Sequence, residues 1–171
     1  TIRGGAGNDY LFGGADHDDL NGGSGVDVLQ GGSGNDGLTD LSGNGLLDGG
    51  TGDDTIADGW GRNLIAGGIG NDVITLGGGA DVIAFNRGDG HDLMQSGQGG
   101  SATLSLGGGI RVSDLALRHS GNSLVLELGR GDQIIFQGWY RGSNFQPIST
   151  LQLINDGSGH AVETVDFRSV V

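Results

Sequence analysis

The fold is decided by residues 4–84, which read as nine consecutive units of nine residues: GGAGNDYLF, GGADHDDLN, GGSGVDVLQ, GGSGNDGLT, DLSGNGLLD, GGTGDDTIA, DGWGRNLIA, GGIGNDVIT and LGGGADVIA. A tenth unit, RGDGHDLMQ, begins at Arg87 after two extra residues, Phe85 and Asn86. The eighth residue of all nine units is leucine or isoleucine. A disordered glycine-rich linker would show no such register, so the repeat indicates a stacked solenoid.

The residue types within a unit predict a turn followed by a short strand. Glycines at the first, second and fourth positions permit positive φ angles and let carbonyl groups turn inward. Strand side chains alternate, so the eighth residue points inward. Two units then form one coil of a flattened, right-handed, all-β solenoid with parallel strands about 4.8 Å apart. Turns of odd-numbered units form one edge of the solenoid, the odd edge, and turns of even-numbered units form the even edge.

The sixth residue of most units is aspartate, and the stacking places these carboxylates above one another. Carboxylates at this spacing repel each other by about 1 kcal/mol per pair even in bulk water. They also lie among turn carbonyls, so the environment is made of oxygen atoms, which suits Ca²⁺. Mg²⁺ would require a smaller octahedron, and zinc would prefer histidine or cysteine. The sequence therefore predicts calcium sites between the turns.

Composition argues against several other classes of function. The chain has no cysteine, so disulfides and thiolate chemistry are absent. Its formal charge of −13 argues against nucleic acid and in favour of cations. No apolar run approaches the roughly 20 residues of a membrane span. No catalytic triad or isolated carboxylate pair stands out, so we expect no enzyme activity in this segment.

The units resemble the RTX (repeats-in-toxin) nonapeptide, Gly-Gly-x-Gly-x-Asp-x-U-x, in which U is a large apolar residue. The resemblance implies a parallel β-roll that binds Ca²⁺ between units i and i+2, with about four to six ions here. It implies side-chain ligands at Asp9, Asp18, Asp27, Asp36, Asp54, Asp72, Asp81, Asp89, Asp92 and Asn63. It implies turn ligands among Gly5, Gly7, Gly14, Gly22, Ser24, Gly31, Gly32, Ser33, Gly34, Gly49, Gly50, Thr51, Gly52, Gly67, Gly68, Ile69 and Gly70.

The even edge keeps every sixth-position acid. We expect three complete sites between successive members of the series Asp18, Asp36, Asp54 and Asp72. A fourth site would join Asp72 to Asp89 or Asp92, if the two-residue insertion permits.

The odd edge departs further from the pattern, because Gly45 and Asn63 replace aspartate. We expect one strong site between Asp9 and Asp27. Gly45 should remove the next two sites, and Asn63 with Asp81 should hold an ion more weakly.

Charge and pattern both change near residue 95. Residues 1–94 contain 15 Asp and 3 Arg, whereas residues 95–171 contain 4 Asp, 2 Glu and 5 Arg. We predict a calcium-binding β-roll over residues 1–95 and a β-rich capping segment over residues 96–171. Alternating apolar residues predict antiparallel hairpins over 115–128 and 149–162. This segment would cover the open strand edge of the solenoid.

The family resemblance also implies export. An RTX module is carried out unfolded by type I secretion machinery and folds on Ca²⁺ outside, so we expect a secreted, extracellular or bacterial cell-surface protein. Because Thr1 begins in the middle of a repeat, we expect a piece of a larger toxin, adhesin or hydrolase. The alternative is a Ca²⁺-dependent module that binds a host-cell surface, a glycan or a partner protein, with Trp60, Trp139 and Tyr140 as candidate contact residues.

Overall fold

The computed structural model describes residues 1–97, 100–142, 146–154 and 162–167. They form a β-solenoid of about six turns, which confirms the predicted fold class. Within them, the helical segments are two single 3₁₀ turns, Val112–Asp114 and Trp139–Arg141. Across these described ranges, no helix has the length and apolar character that crossing a membrane requires.

Within the described ranges, the sheet contains sixteen strands. In chain order they are β1 (Ile2–Ala6), β2 (Tyr10–Ala15), β3 (Asp19–Ser33), β4 (Gly37–Thr51), β5 (Thr55–Gly61), β6 (Leu64–Ile69), β7 (Val73–Leu76), β8 (Gly78–Gly79), β9 (Val82–Phe85), β10 (His91–Ser96), β11 (Ala102–Leu106), β12 (Ala116–Ser120), β13 (Ser123–Glu127), β14 (Gln133–Phe136), β15 (Ile148–Ile154) and β16 (Val162–Asp166).

The strand register is the predicted two units per coil. Ile2 pairs with Leu20 and Tyr10 pairs with Val28, both in parallel and both 18 residues apart. The same offset relates β3 to β4, β4 to β5 and β6, β5 to β7, and β6 to β9. The strands β3 and β4 are 15 residues long and contribute to both faces of the solenoid. Unit i therefore stacks on unit i+2.

The core is a double column of aliphatic side chains from the eighth position of each unit. None is more than 6 % exposed. They are Leu11, Leu20, Leu29, Leu38, Leu47, Ile56, Ile65, Ile74, Ile83 and Met94. Each coil thus buries only two such side chains, which is a small apolar core for 18 ordered residues.

The extra residues Phe85 and Asn86 lengthen one coil. Leu93 pairs with Val73 across 20 residues instead of 18. The buried ring of Phe85 takes a place in the core, so the solenoid continues beyond the insertion.

The C-terminal segment first extends the solenoid and then closes it. Strand β11 joins β9 in parallel, β15 joins β11 in parallel, and β14 joins β10 in parallel. Strands β12, β13 and β16 then pair antiparallel at the two ends. The first predicted hairpin is therefore confirmed. In the second, β15 pairs antiparallel with β16, so the return strand extends beyond the predicted end at 162. The expected turn at 155–157 and residues 158–161 lie outside the described residues. Phe136, Trp139 and Phe167 fill the closing core, with ring centroids 5.5–5.6 Å apart.

Candidate metal centre

A ladder of hydrogen bonds joins the sixth-position aspartates of the even edge. In each step the amide nitrogen of one aspartate donates to Oδ1 of the aspartate one coil further on. The four steps are Asp18 to Asp36 (2.8 Å), Asp36 to Asp54 (2.7 Å), Asp54 to Asp72 (2.8 Å) and Asp72 to Asp92 (3.1 Å). The last step crosses the two-residue insertion, so Asp92 is the structural successor of Asp72.

The odd edge has the same ladder, but it is interrupted. The amide of Asp9 donates to Asp27 Oδ1 at 2.9 Å, and the amide of Asn63 donates to Asp81 Oδ1 at 3.0 Å. Gly45 lies between these two steps and has no side chain that could accept a hydrogen bond from the preceding coil. The interruption falls at the position that the sequence predicts.

The second oxygen of six of the ladder carboxylates is buried without a hydrogen-bond partner. These orphaned Oδ2 atoms belong to Asp9, Asp27, Asp36, Asp54, Asp72 and Asp81. A buried anionic oxygen without a partner is costly, so the arrangement favours either a proton or a cation.

Burial alters the acidity of these carboxyl groups. It is the largest cause that raises the pKa of Asp54 to about 6, of Asp72 to about 7 and of Asp92 to about 8. Neighbouring carboxylates raise these pKa values further, whereas the backbone hydrogen bonds of the ladder lower them. The pKa of Asp81 is also raised by burial. Stacked buried carboxylates of this kind bind a divalent cation in competition with protons.

Five of the orphaned oxygens lie against the first-position glycine of their own unit, and we call the region between the first and sixth residues the turn cavity. The pairs are Gly4 with Asp9, Gly22 with Asp27, Gly31 with Asp36, Gly49 with Asp54, and Gly67 with Asp72. A Cβ atom added to Gly31 would lie 2.5 Å from Asp36 Oδ2 and 2.6 Å from the carbonyl oxygen of Gly49 in the next coil. At Gly4 the corresponding distances are 2.6 Å to Asp9 Oδ2 and 2.7 Å to the Gly22 carbonyl oxygen. The turn cavity therefore holds a carboxylate oxygen and a carbonyl oxygen from successive turns.

The glycines of the turn serve two different purposes. Those at the second and fourth positions, such as Gly5 (φ 105°) and Gly7 (φ 118°), adopt left-handed backbone that other residues rarely enter. The first-position glycines, such as Gly31 and Gly49, have no positive φ and are needed for space. Asp16 occupies a fourth position with a φ of 75°, which is strained for a residue with a side chain.

The predicted turn ligands line both edges of the solenoid. The carbonyls of Ser24, Thr51 and Ile69 accept hydrogen bonds of 2.8–2.9 Å from fourth-position glycine amides of the preceding coil. The remaining predicted turn residues are second- or fourth-position glycines with positive φ, first-position glycines of turn cavities, and Ser33. The second-position carbonyls project towards the same position of the next coil, as the Gly5 carbonyl does towards Gly23.

Asp89 differs from the other predicted side-chain ligands. Its Oδ2 accepts a hydrogen bond of 2.7 Å from the amide of Asn86, within the inserted turn. It is buried, and burial raises its pKa, with the Asp132 carboxylate adding to the shift. Asp89 therefore lies beside the end of the even-edge ladder, whereas Asp92 forms its last step.

The donor set of the turns fits Ca²⁺. Among the described residues, no three His, Cys, Asp or Glu side chains converge on a point, so an ion here would combine one or two carboxylates with backbone carbonyls. Such an all-oxygen set with flexible coordination is typical of calcium sites. It offers neither the nitrogen nor the sulfur ligands that zinc prefers.

Two acidic residues of the odd edge were not predicted as ligands from the repeat pattern. Asp40 and Asp58 occupy first positions, and both are buried, at 2 % and 4 % exposure. Burial is the largest cause that raises the pKa of both, and it brings Asp58 to about 7. The signal in the sequence is that an acid stands at the first position in the two units that lack one at the sixth.

The repeat pattern and the stacked turns agree with a known family. The RTX calcium-binding nonapeptide repeat matches the chain in four copies, over residues 1–29, 21–56, 39–74 and 57–91. No curated protein is significantly similar to the chain. The matched copies span more than half of the sequence and the same coils that carry the aspartate ladders. The chain belongs to the RTX calcium-binding nonapeptide repeat family.

Proposed function

We propose that this chain is a module whose solenoid folds when Ca²⁺ enters its turns, in the extracellular space and after export by type I secretion machinery. RTX repeats bind calcium, and the observation that supports calcium-gated folding is the set of orphaned Oδ2 atoms buried along both edges. Neutralising these carboxylates is a condition for burying them. The proposal includes about four to six ions, ligated by sixth-position aspartates and turn carbonyls.

Calcium dependence also follows from the small core. Each coil buries two aliphatic side chains from its eighth positions. This is a small apolar core against the conformational entropy that 18 ordered residues lose. We therefore expect bound ions, together with the hydrogen bonds between coils, to supply much of the stability of the roll.

In an exported protein this arrangement acts as a location-dependent switch. Scarce cytosolic calcium leaves the module unfolded and able to pass through a secretion channel, whereas extracellular calcium folds it. The segment over residues 96–171 closes the roll at its C-terminal end. The module would serve a larger exported toxin, adhesin or hydrolase.

A calcium titration followed by circular dichroism tests the folding proposal. We expect no solenoid signal in EDTA, a cooperative gain of β structure at roughly millimolar Ca²⁺, and no comparable gain with Mg²⁺ at the same concentration. A fully folded repeat region in EDTA at neutral pH would contradict the proposal. Export in cells with and without a type I exporter tests the secretion part separately.

A second candidate function is ligand binding by the outer surface of the roll. Large apolar side chains are exposed there, including Tyr10 at 67 % and Trp60 at 62 %. Of the other candidate contact residues, Trp139 is buried in the closing core, while Tyr140 is 43 % exposed and stacks on His119 at 4.3 Å. Calcium-dependent retention on cells or glycans, lost in Trp60→Ala, would support this function.

A further inference from the structure

Two odd-edge units exchange their acid between the first and sixth positions. The family pattern has glycine first and aspartate sixth. The fifth unit instead has Asp40 first and Gly45 sixth, and the seventh has Asp58 first and Asn63 sixth. The first and sixth residues face each other across one turn cavity. The carboxylate therefore still lies at that cavity, but the first residue supplies it and not the sixth.

The space left by Gly45 is lined by oxygen atoms from three successive turns. A Cβ atom at Gly45 would lie 2.8 Å from Asp40 Oδ2, 3.0 Å from the carbonyl oxygen of Asp27 and 3.3 Å from Asn63 Oδ1. These three oxygens therefore converge on one point in the middle of the odd edge, where the aspartate ladder is interrupted.

Several of these oxygens are buried and have no partner. Both carboxylate oxygens of Asp40 lack a hydrogen bond, as does Asn63 Oδ1. The two residues are only 2 % and 3 % exposed. Buried polar atoms are normally satisfied, so a group of unpartnered oxygens facing one space indicates a bound ligand that donates or carries positive charge.

Asp58 determines which atom of Asn63 faces this space. Asn63 Nδ2 donates a hydrogen bond of 2.6 Å to Asp58 Oδ1. An amide has its two donors on nitrogen and its acceptor on oxygen. With the nitrogen held by Asp58, the oxygen of Asn63 points towards Gly45 and Asp40.

The backbone of these turns is also distinct. In the first and third units the second residue is glycine with positive φ, at Gly5 and Gly23. In the fifth, seventh and ninth units the second residue is Leu41, Gly59 and Gly77, and none has positive φ. The second residues of the three later odd-edge turns therefore differ in backbone conformation from Gly5 and Gly23, and at Leu41 that residue carries a side chain.

We propose that the Asp40 carboxylate, the Asn63 side-chain oxygen and the Asp27 backbone carbonyl form an oxygen-lined site for a divalent cation in the middle of the odd edge, with the acid supplied from the first position of the repeat. One carboxylate, one amide oxygen and one backbone carbonyl give a hard, all-oxygen ligand set with one negative charge, which suits Ca²⁺. The site replaces one of the two that Gly45 was expected to remove. This inference rests on the proposed calcium function of the roll.

The exchange maintains one buried carboxylate at every odd-edge turn. The series is Asp9, Asp27, Asp40, Asp58 and Asp81, all but Asp9 less than 5 % exposed. If the sixth-position acids had been lost without replacement, two neighbouring odd-edge turns would have no buried carboxylate.

Calcium stoichiometry of the intact chain tests this site. Isothermal titration with Ca²⁺ would compare the wild type with Asp40→Gly, which restores the family glycine and removes the acid. We expect Asp40→Gly to bind one ion fewer and Asp40→Gly/Gly45→Asp to regain it, since the double variant returns the acid to the sixth position. Asp19→Asn removes an exposed aspartate and should leave the ion count unchanged.

The outcomes separate this site from the general function. An unchanged ion count in Asp40→Gly, with a lower count in Asp54→Asn, would overturn the odd-edge site and leave calcium binding by the roll intact. No calcium binding by the wild type would overturn both. If Asp40→Gly fails to fold, the double variant decides: a wild-type ion count supports the site, whereas one ion more than the wild type shows that Asp40 held none and overturns it.

Discussion

The amide nitrogen of Asp54 donates a hydrogen bond of 2.8 Å to Oδ1 of Asp72, one 18-residue coil further along the chain. Asp54 in turn accepts from the amide of Asp36 at 2.7 Å. One oxygen of each carboxylate therefore connects coils, and the other remains free to bind an ion in the turn cavity. We propose that folding and ion binding use opposite oxygens of the same side chain.

Replacing an interior ladder residue should weaken calcium-dependent folding strongly. Asp54→Ala removes a hydrogen bond to a charged acceptor, worth about 1.5–3 kcal/mol, and an oxygen of the turn cavity. We expect the calcium midpoint to rise by about tenfold or more. The measurement is a circular dichroism titration. Its control is Asp19→Ala, which removes the same charge from an exposed residue outside the ladder, and equal midpoints for the two variants would refute the role of the ladder.

Acid should partly replace calcium. Burial raises the pKa of Asp54, Asp72 and Asp92 from 3.8 to about 6, 7 and 8. Because the folded state binds these protons more tightly, their contribution to apo stability is present at low pH and is lost as pH rises through about 6 to 8. In EDTA, solenoid signal should be greater at pH 5 than at pH 8.5, and calcium affinity should rise over the same range. A pH-independent apo chain would contradict this expectation.

The first-position glycines should be intolerant of alanine for lack of space. A Cβ at Gly49 would collide with Asp54 Oδ2 and the Gly67 carbonyl, although Gly49 has no positive φ. We expect Gly49→Ala to displace the carboxylate and raise the calcium midpoint. Gly37→Ala is the control, because its nearest neighbour is the exposed Asp19 carboxylate at 3.0 Å. If both variants titrate like the wild type, the turn cavity has no part in ion binding.

Removing the closing segment should impair folding of the roll. Deletion of residues 103–171 strips β11 from β9 and β14 from β10, which exposes the aliphatic column at the last coil. We expect a higher calcium midpoint or no transition. The point variant Phe136→Ala, costing about 3–5 kcal/mol, should shift the midpoint in the same direction. Identical midpoints for full-length and shortened chains would show that the roll folds without its cap.

The repeat by itself determined most of the architecture. A leucine or isoleucine at every eighth position predicts the buried column, because only one residue per short strand can face inward. The nine-residue period predicts the 18-residue register, and that register places Asp18, Asp36, Asp54 and Asp72 in one stack. Local alternation likewise predicted the hairpin of β12 and β13. Each of these features follows from the spacing of residues along the chain, which can be read from the sequence.

Only the tertiary structure decided which groups share a turn cavity. Asp40 and Gly45 are five residues apart, yet their facing arrangement arises because the turn folds back on itself. The convergence of Asp40 and Asn63 beside Gly45 joins two coils, in a turn where Leu41 lacks positive φ. The parallel pairing of β14 with β10, 42 residues apart, follows no period. The sequence signals the displaced acid at Asp40, but which oxygen atoms meet is set by the stacking of coils across space.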